Sequence, residues 1–383
     1  MQQTKILKTT DFTNQNFYIG IDVHKKQWTS TLRLDGTYIK TYTIEPSAQA
    51  LARQLKANYP NGNYFSVYEA GFCGTSYHEE LCALGISNII INPADLPITN
   101  KLKTNQTDYH DSRALAEYLE AGKLKAIHVF TVDHQELRSL CRLRSSKRID
   151  TSRCKNRIKG MLMYYGITIP QQYQGKKCWS KIFINWLKEQ KLASCAGTKC
   201  LQFLIADLEY NRRQLLMVLK SIRKMMTQRF SKLWNLLLSI PGIGPVNVIT
   251  LISEIGDIKR FPSEPHLASF FGLLPSEASS DQKVIVKGIN PRCNQYLRTM
   301  LVEAAWVAIR YSPSLLAYYK KHSYIDSNKA IIKVARKLAM IIRAVWLNQK
   351  DYQEGYQSPE KKEELVKKKY DVRKCSSEGT ASS

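Results

Sequence analysis

Carboxylates are scarce in this sequence: 32 Asp and Glu stand against 57 Lys and Arg over 383 residues, a formal charge of +25. A surface so one-sided repels itself unless a polyanion lies against it, which makes nucleic acid the expected partner. An anionic membrane would attract the same charge. The sequence has no run of about 18 or more apolar residues and no signal-peptide pattern, so a soluble intracellular protein with no membrane partner is expected. The nine cysteines lack paired spacing, which excludes a disulfide framework and fits a reducing compartment. Cys195 and Cys200 form the closest pair, and no second Cys or His pair at finger spacing follows them, which argues against a zinc module. Also missing are a helix-turn-helix recognition helix and an RNA-binding aromatic motif. What is present is 44% hydrophobic residues, enough for real cores, on a chain long enough for two domains with a connection.

Phe17 to Val23 reads as a strand, and Gln27 to Leu34, the turn Asp35-Gly36 and Tyr38 to Ile44 add two antiparallel partners. Ser47 to Tyr59 reads as a helix, Tyr64 to Tyr68 as a strand ending at Glu69, Gly74 to Gly85 as a helix and Asn88 to Ile91 as a strand. A meander followed by alternating units predicts an α/β domain with a mixed sheet flanked by helices, as in the ribonuclease H-like architecture. From His134 to about Gly166 strand signals stop. A long helix is crowded with Arg138, Arg142, Arg144, Lys147, Arg148, Arg153, Lys155, Arg157 and Lys159, against an intermittent apolar face of Leu137, Leu140, Cys141, Ile149 and Ile158. Such charge is expected to track a phosphate backbone; the competing reading is the outer face of a helical pair. Trp179 to Lys191 and Cys200 to Gln228 resume as helices, so the middle third reads as a helical arm. Long joining helices often pair with another copy, and a homo-oligomer is expected.

The scarce acids fall in a pattern. Asp22 lies in Gly20-Ile21-Asp22-Val23-His24 on a strand, Glu69 in Val67-Tyr68-Glu69-Ala70-Gly71 at the end of another, and Asp108 and Asp111 stand three apart at the start of a helix. That spacing puts the last two on one helical face. Four converging acids repel one another, and a hard divalent cation, with Mg²⁺ expected, is the usual way to satisfy them. Taken singly, each has a structural alternative as a turn, strand-end or helix-capping residue. The Gly-Thr-Thr hairpin of an actin-like or sugar-kinase ATPase is absent; bulky Val23-His24-Lys25-Lys26 follows Asp22 instead. His24 and His110 stand near the proposed site, where they could assist or contact DNA, but they are read first as surface or structural residues.

Towards the C-terminus, Leu237 to Gly256 reads as helix, Pro-Gly-Ile-Gly turn and helix, a helix-hairpin-helix-like motif in which Gly242 and Gly244 would let the backbone approach a phosphate. Phe271-Gly272-Leu273-Leu274-Pro275-Ser276-Glu277-Ala278-Ser279-Ser280 follows, and then Lys287-Gly288-Ile289-Asn290-Pro291-Arg292-Cys293-Asn294-Gln295-Tyr296-Leu297-Arg298. Arg292 and Arg298 suit phosphate contacts. With the series Asp22, Glu69, Asp108, Asp111, these segments resemble the insertion-sequence 110 family of DEDD transposases, and the similarity runs from about Tyr18 to Tyr352.

The resemblance implies an N-terminal domain similar to the RuvC resolvase and a Gly-Leu-x-Pro segment preceding a serine that attacks DNA. Counting from Pro275 puts that role on Ser280. The family has Gly after this serine where this sequence has Asp281, which leaves Ser279 as the alternative. It further implies a composite carboxylate and serine site, a covalent protein–DNA intermediate, donor and target DNA as substrates, a noncoding guide RNA as partner, a dimer or tetramer, and work in the cytoplasm of a bacterial cell, at the nucleoid when on DNA. Two other functions compete: a structure-specific nuclease using the four acids and water, and a non-catalytic nucleic-acid scaffold. The expected layout is an N-terminal extension (1–16), a RuvC-like carboxylate domain (17–132), a basic, coiled-coil-like arm (133–230), a mainly helical C-terminal domain (231–352) and a disordered tail (353–383).

Overall fold

The structure, a computed structural model, describes residues 11–96, 107–175, 178–280, 283–289 and 293–354, and along 275–280 and 283–289 it describes the backbone. Arg292 and the tail from 355 on lie outside the described residues. The chain divides into two compact units, 1–129 and 130–383, so the expected arm and C-terminal domain lie together in the second.

The first unit is built on a five-stranded sheet in the order β3-β2-β1-β4-β5. β1 (Asn16–Val23), β2 (Trp28–Leu34) and β3 (Thr37–Ile44) form the antiparallel meander, and β4 (Asn63–Glu69) and β5 (Ser87–Ile91) add on parallel. This mixed sheet is compatible with the architecture expected from the sequence. The period-two alternation of β1 explains its central place. Phe17, Ile19 and Ile21 are fully buried in a core shared with Leu51 and Leu55 of α1 (Ala48–Asn58) and Leu81 of α2 (Ser76–Ala83). The opposite face receives α3 (Asp108–Glu120), whose Leu115 packs on Val67 and Ile91.

Gly20 sets how closely α3 can approach. A Cβ there would collide with the Ser112 carbonyl and lie 2.5 Å from the Ala116 amide and 2.8 Å from Leu115 Cβ. The helix is fastened at both ends. Buried Ser112 Oγ shares a 2.9 Å hydrogen bond with Thr31 Oγ1, and Glu120 accepts from Arg33 Nε at 2.7 Å and from the Gly36 amide at 2.6 Å.

In the second unit α4 (Val132–Tyr164) and α6 (Cys195–Arg229) pair along their length, with α5 (Lys181–Glu189) between them in sequence. At about 1.5 Å per residue each long helix spans roughly 50 Å. Two cores lie along this pair. Cys154, Ile158 and Leu162 join Phe183, Leu187, Leu201, Ile205 and Leu208 in one. Leu137, Cys141, Val218, Ile222 and Met226 enter the other, larger core. That core is completed by α7 (Ser231–Leu238), α8 (Pro245–Ile255), α9 (Glu264–Phe270), α10 (Gln295–Tyr311), α11 (Pro313–Ser323) and α12 (Ser327–Asn348). Between α9 and α10 stands an antiparallel hairpin, β6 (Pro275–Ser280) and β7 (Lys283–Ile289). It interrupts the helical pattern expected of this stretch, and the β-branched run Val284-Ile285-Val286 is its local cause.

Two glycine substitutions separate packing from propensity. Gly20→Ala must push α3 off the sheet and is expected to destabilise by about 1–3 kcal/mol, as overpacking does. Gly160→Ala, exposed near the C-terminal end of α4 with nothing near its Cβ position, should stabilise by about 0.5–1 kcal/mol. Denaturant unfolding of the two variants checks both signs.

Candidate metal centre

The four scarce acids meet at one edge of α3. In the parallel register Ile21 lies opposite Tyr68, so the next step along both strands brings Asp22 and Glu69 side by side. Asp22 follows Gly20 by two residues and shares its face of the strand, the face on which α3 lies. Thr107 caps that helix by accepting from the His110 amide, which places Asp108 and Asp111 in its first turn over Asp22. A pocket of about 170 Å³ opens here, lined by Asp22, Glu69, Asp111, Phe72, Cys73 and Leu115 among others.

His24 completes the group. Its Nε2 lies 3.1 Å from Asp22 Oδ2 and 3.5 Å from Asp108 Oδ1, and the ligating atoms of these three residues all fall within 4.8 Å of one another. His24 therefore belongs to the site, although its sequence context alone reads as that of a surface residue. The signal that favours the site over the surface is its position two residues beyond Asp22, on the same side of the chain.

Burial first, and mutual repulsion after it, raise the proton affinity of these acids. Burial pushes the Asp22 carboxyl above its ordinary value, and Asp108 and Asp111 add to this while His24 opposes it. Glu69 is raised by burial, then by Asp111 and Asp22; Asp111 is raised by burial, then by Asp108. Clustered oxygens and one imidazole fit a divalent cation: among the described residues the ligand atoms close enough to share one are those of Asp22, His24 and Asp108, with Glu69 and Asp111 lining the pocket beside Asp22.

The other residues singled out in the sequence lie in the second unit. Ser279 and Ser280 end β6, in register with Val284 and Lys283 at the turn end of the hairpin. Gly272, at φ +65°, stops α9 just before it. Along α4, Arg138 and Arg142 are tied to Glu254, Lys147 donates to Asn211 Oδ1, Arg144 is half-buried, and Arg148, Arg153 and Arg157 are exposed. Arg298 packs its guanidinium against Gly272. The Pro-Gly-Ile-Gly turn does connect two helices, α7 and α8. A Cβ on Gly242 would strike the Ala304 carbonyl and lie 2.8 Å from Ala308 Cβ, so its bareness lets α10 pack there, whereas Gly244 faces open space at the N-cap of α8.

Comparison with known proteins points the same way in both units. A family model for DEDD transposases of the IS110 kind matches residues 19–167, and one for the transposase IS116/IS110/IS902 family matches residues 234–320. Protein y4qE of Sinorhizobium fredii is 27% identical over 311 residues, 78% of this chain and 73% of its own length. The transposase for insertion sequence element IS1111A of Coxiella burnetii is 26% identical over 302 residues, 74% of this chain and 78% of its own. The transposase for insertion sequence element IS1328 of Yersinia enterocolitica is 25% identical over 247 residues.

The acids set a sign for stability. Because Asp22, Glu69 and Asp111 have raised proton affinity when folded, their contribution is favourable below the ordinary carboxylate range and is lost as pH rises through their folded values. In chelator at neutral pH, Asp111→Asn is therefore expected to melt above the wild type. Added Mg²⁺ or Mn²⁺ should raise the wild-type midpoint and raise that of Asp22→Asn much less, read by thermal unfolding; equal shifts in both would mean that these acids hold no ion.

Proposed function

The chain belongs to the IS110 family of transposases, and from that premise we propose that it cuts and exchanges DNA strands through a covalent serine intermediate, with a carboxylate site on a ribonuclease H-like domain. The convergence of Asp22, Glu69, Asp108 and Asp111 on one edge of α3, in a chain that otherwise carries excess positive charge, is the observation that supports it best. Mg²⁺ held by these acids would supply charge stabilisation to the phosphodiester oxygens in the transition state. His24 shares a hydrogen bond with Asp22 and lies 3.5 Å from Asp108, a position from which it orients both. Phe72, 59% exposed at the pocket's edge, and Lys25 above its ring limit the approach to that side.

In the proposed reaction Ser280 Oγ, or Ser279 Oγ, forms a bond to phosphorus as the bond to a deoxyribose oxygen breaks. The hydroxyl proton passes to a carboxylate of the acid set, and the departing sugar oxygen takes up a proton in turn. A serine hydroxyl is a weak nucleophile and needs such a base; the resemblance to the family implies a composite carboxylate and serine site, within a chain or across two subunits of a dimer or tetramer. A strand joined to the protein keeps the energy of its phosphodiester, so a second DNA end can displace the serine and complete the exchange. Specificity is assigned, as the resemblance to the family implies, to a noncoding RNA paired with donor and target, and the excess of basic residues is in keeping with it.

A second reading keeps one observation in its favour: all four acids lie within the first unit, so water in place of serine would make this a hydrolytic nuclease. Denaturant-resistant protein–DNA adducts separate the two. With gene-flanking RNA, donor and target DNA and Mg²⁺, the wild type should form adduct and Ser280→Ala should not. Loss in Ser279→Ala alone moves the nucleophile by one residue, cut DNA without adduct in any version supports the nuclease, and recombination undiminished after complete RNA removal overturns guidance.

A further inference from the structure

Glu254 on α8 is 2% exposed and accepts four hydrogen bonds. Its Oε1 accepts from Arg142 Nε at 3.0 Å; its Oε2 accepts from Arg138 Nε at 3.1 Å, Arg142 Nη2 at 3.2 Å and Asn294 Nδ2 at 2.8 Å. Burial alone would push this carboxyl up, but the Arg142 bond, the Arg138 charge and the Asn294 bond together hold it below its ordinary value. It is a buried carboxylate that stays ionised and ties α4, α8 and the start of α10 together.

The arginines are not used up by it. A guanidinium has five N–H donors; Arg138 gives one to Glu254 and Arg142 gives two. Their side chains remain 31% and 45% exposed. Aromatic rings help fix both planes: Arg138 stands 4.7 Å over Phe130 and Arg142 5.5 Å over Tyr296. Arg260 stacks on Phe130, Phe261 and Phe270 behind them, and its guanidinium is pushed down to about 10 by burial and then by the Arg138 charge. Against these three cations stand Glu254 and, acting on Arg260, Asp257. The positive charge is in excess and partly desolvated, in planes held by a buried anion.

The place matters as much as the charge. Asn294, which bonds Glu254, also caps α10 by accepting from the Leu297 amide, and its own amide donates to the Phe270 carbonyl. Its bond to Phe270 holds it against the helix that leads into β6, so the cluster sits at the root of the hairpin whose far end carries Ser279 and Ser280.

We propose that Glu254 positions Arg138 and Arg142 as a fixed two-guanidinium clamp for a backbone phosphodiester at the root of the serine hairpin; its assignment to the reacting strand rests on the transposase mechanism above, its phosphate binding does not. Two rigid forks match phosphate oxygens better than mobile ammonium groups do, and the clamp holds the strand while the hairpin presents its serine. Glu254 acts through the arginines and is a positioning residue.

Binding of the full chain to a labelled DNA duplex and to single-stranded RNA, in chelator so that nothing is cut and over a range of salt, tests this. Arg142→Ala should flatten the salt dependence by about 0.9 on duplex DNA, the value for one lost phosphate contact. Arg142→Lys, which keeps the charge and a partner for Glu254, should keep the slope and bind roughly 10-fold more weakly. Glu254→Gln should also weaken binding, although it makes the protein more positive. Arg53→Ala, which removes an exposed arginine paired with Glu45, serves as control and should match the wild type. Loss on DNA alone or on RNA alone identifies the strand held, and either supports the clamp. If Arg142→Ala fails to fold, Arg142→Lys and Glu254→Gln decide. Wild-type affinity and slope in the folded variants, with only the melting temperature changed, would overturn the clamp and leave a structural ion pair. Adduct formation, measured separately with Mg²⁺, reports on the serine mechanism and can fail while the clamp stands.

Discussion

The close approach of α3 to β1 at Gly20 is the constraint on which the carboxylate site depends. No other residue type lets the Ser112 carbonyl and the Ala116 amide lie where they do. Without that approach Asp108 and Asp111 would be lifted away from Asp22 and Glu69. The Thr31–Ser112 bond and the Glu120 contacts to Arg33 and Gly36 fix the helix in the one orientation that turns its first turn toward the sheet edge. The site is thus assembled by packing, and its acids are brought together against their own repulsion by apolar burial elsewhere in the unit.

The molecule handles desolvated negative charge in two opposite ways, one fully buried and one at a partly open pocket. Glu254 is surrounded by donors and held ionised; the Asp22, Glu69 and Asp111 carboxyls face one another and are pushed toward protonation. A satisfied carboxylate stabilises and positions its neighbours. A frustrated set stores a demand that only a cation or a proton meets, which is what a binding site requires.

Much of the first unit was legible because local pattern and tertiary role agree there. Alternation in 17–23, the Asp35-Gly36 turn and the Ser47 cap each carry their own signal, and the observed strands and helices begin and end within a few residues of where these predict. The four acids were legible as a series because three of them stand at the ends or starts of such elements. His24 was legible only as a neighbour of Asp22, since nothing in the sequence shows that Asp108 comes within 3.5 Å of it from far along the chain. Glu254 was silent for the same reason: an acid in Leu251-Ile252-Ser253-Glu254-Ile255 looks like a helix surface, and only the crossing of α4 buries it. Gly242 drew attention as a glycine, but whether its bareness serves a phosphate or a neighbouring helix is decided by α10, some sixty residues on. The β6–β7 hairpin was hidden by Pro275-Ser276-Glu277-Ala278-Ser279-Ser280, whose small and polar residues have weak strand preference and pair because β7 supplies it.

The long helices α4 and α6 share a seam that explains why their repeat is hard to read. Leu137, Cys141, Thr151, Ile158 and Leu162 fall on one heptad track of α4, but Arg144, Arg148 and Lys155 occupy the track between them. The pair is apolar at both ends and polar in the middle, where Lys147 bonds Asn211. Each end must therefore keep its rotational phase relative to the other. Seven residues inserted in both helices add nearly two whole turns and preserve that phase, while two residues would swing one end by about 200° relative to the other. Evolution can therefore lengthen or shorten this helical pair only in steps of about 10 Å, and its length is a quantised dimension of the protein.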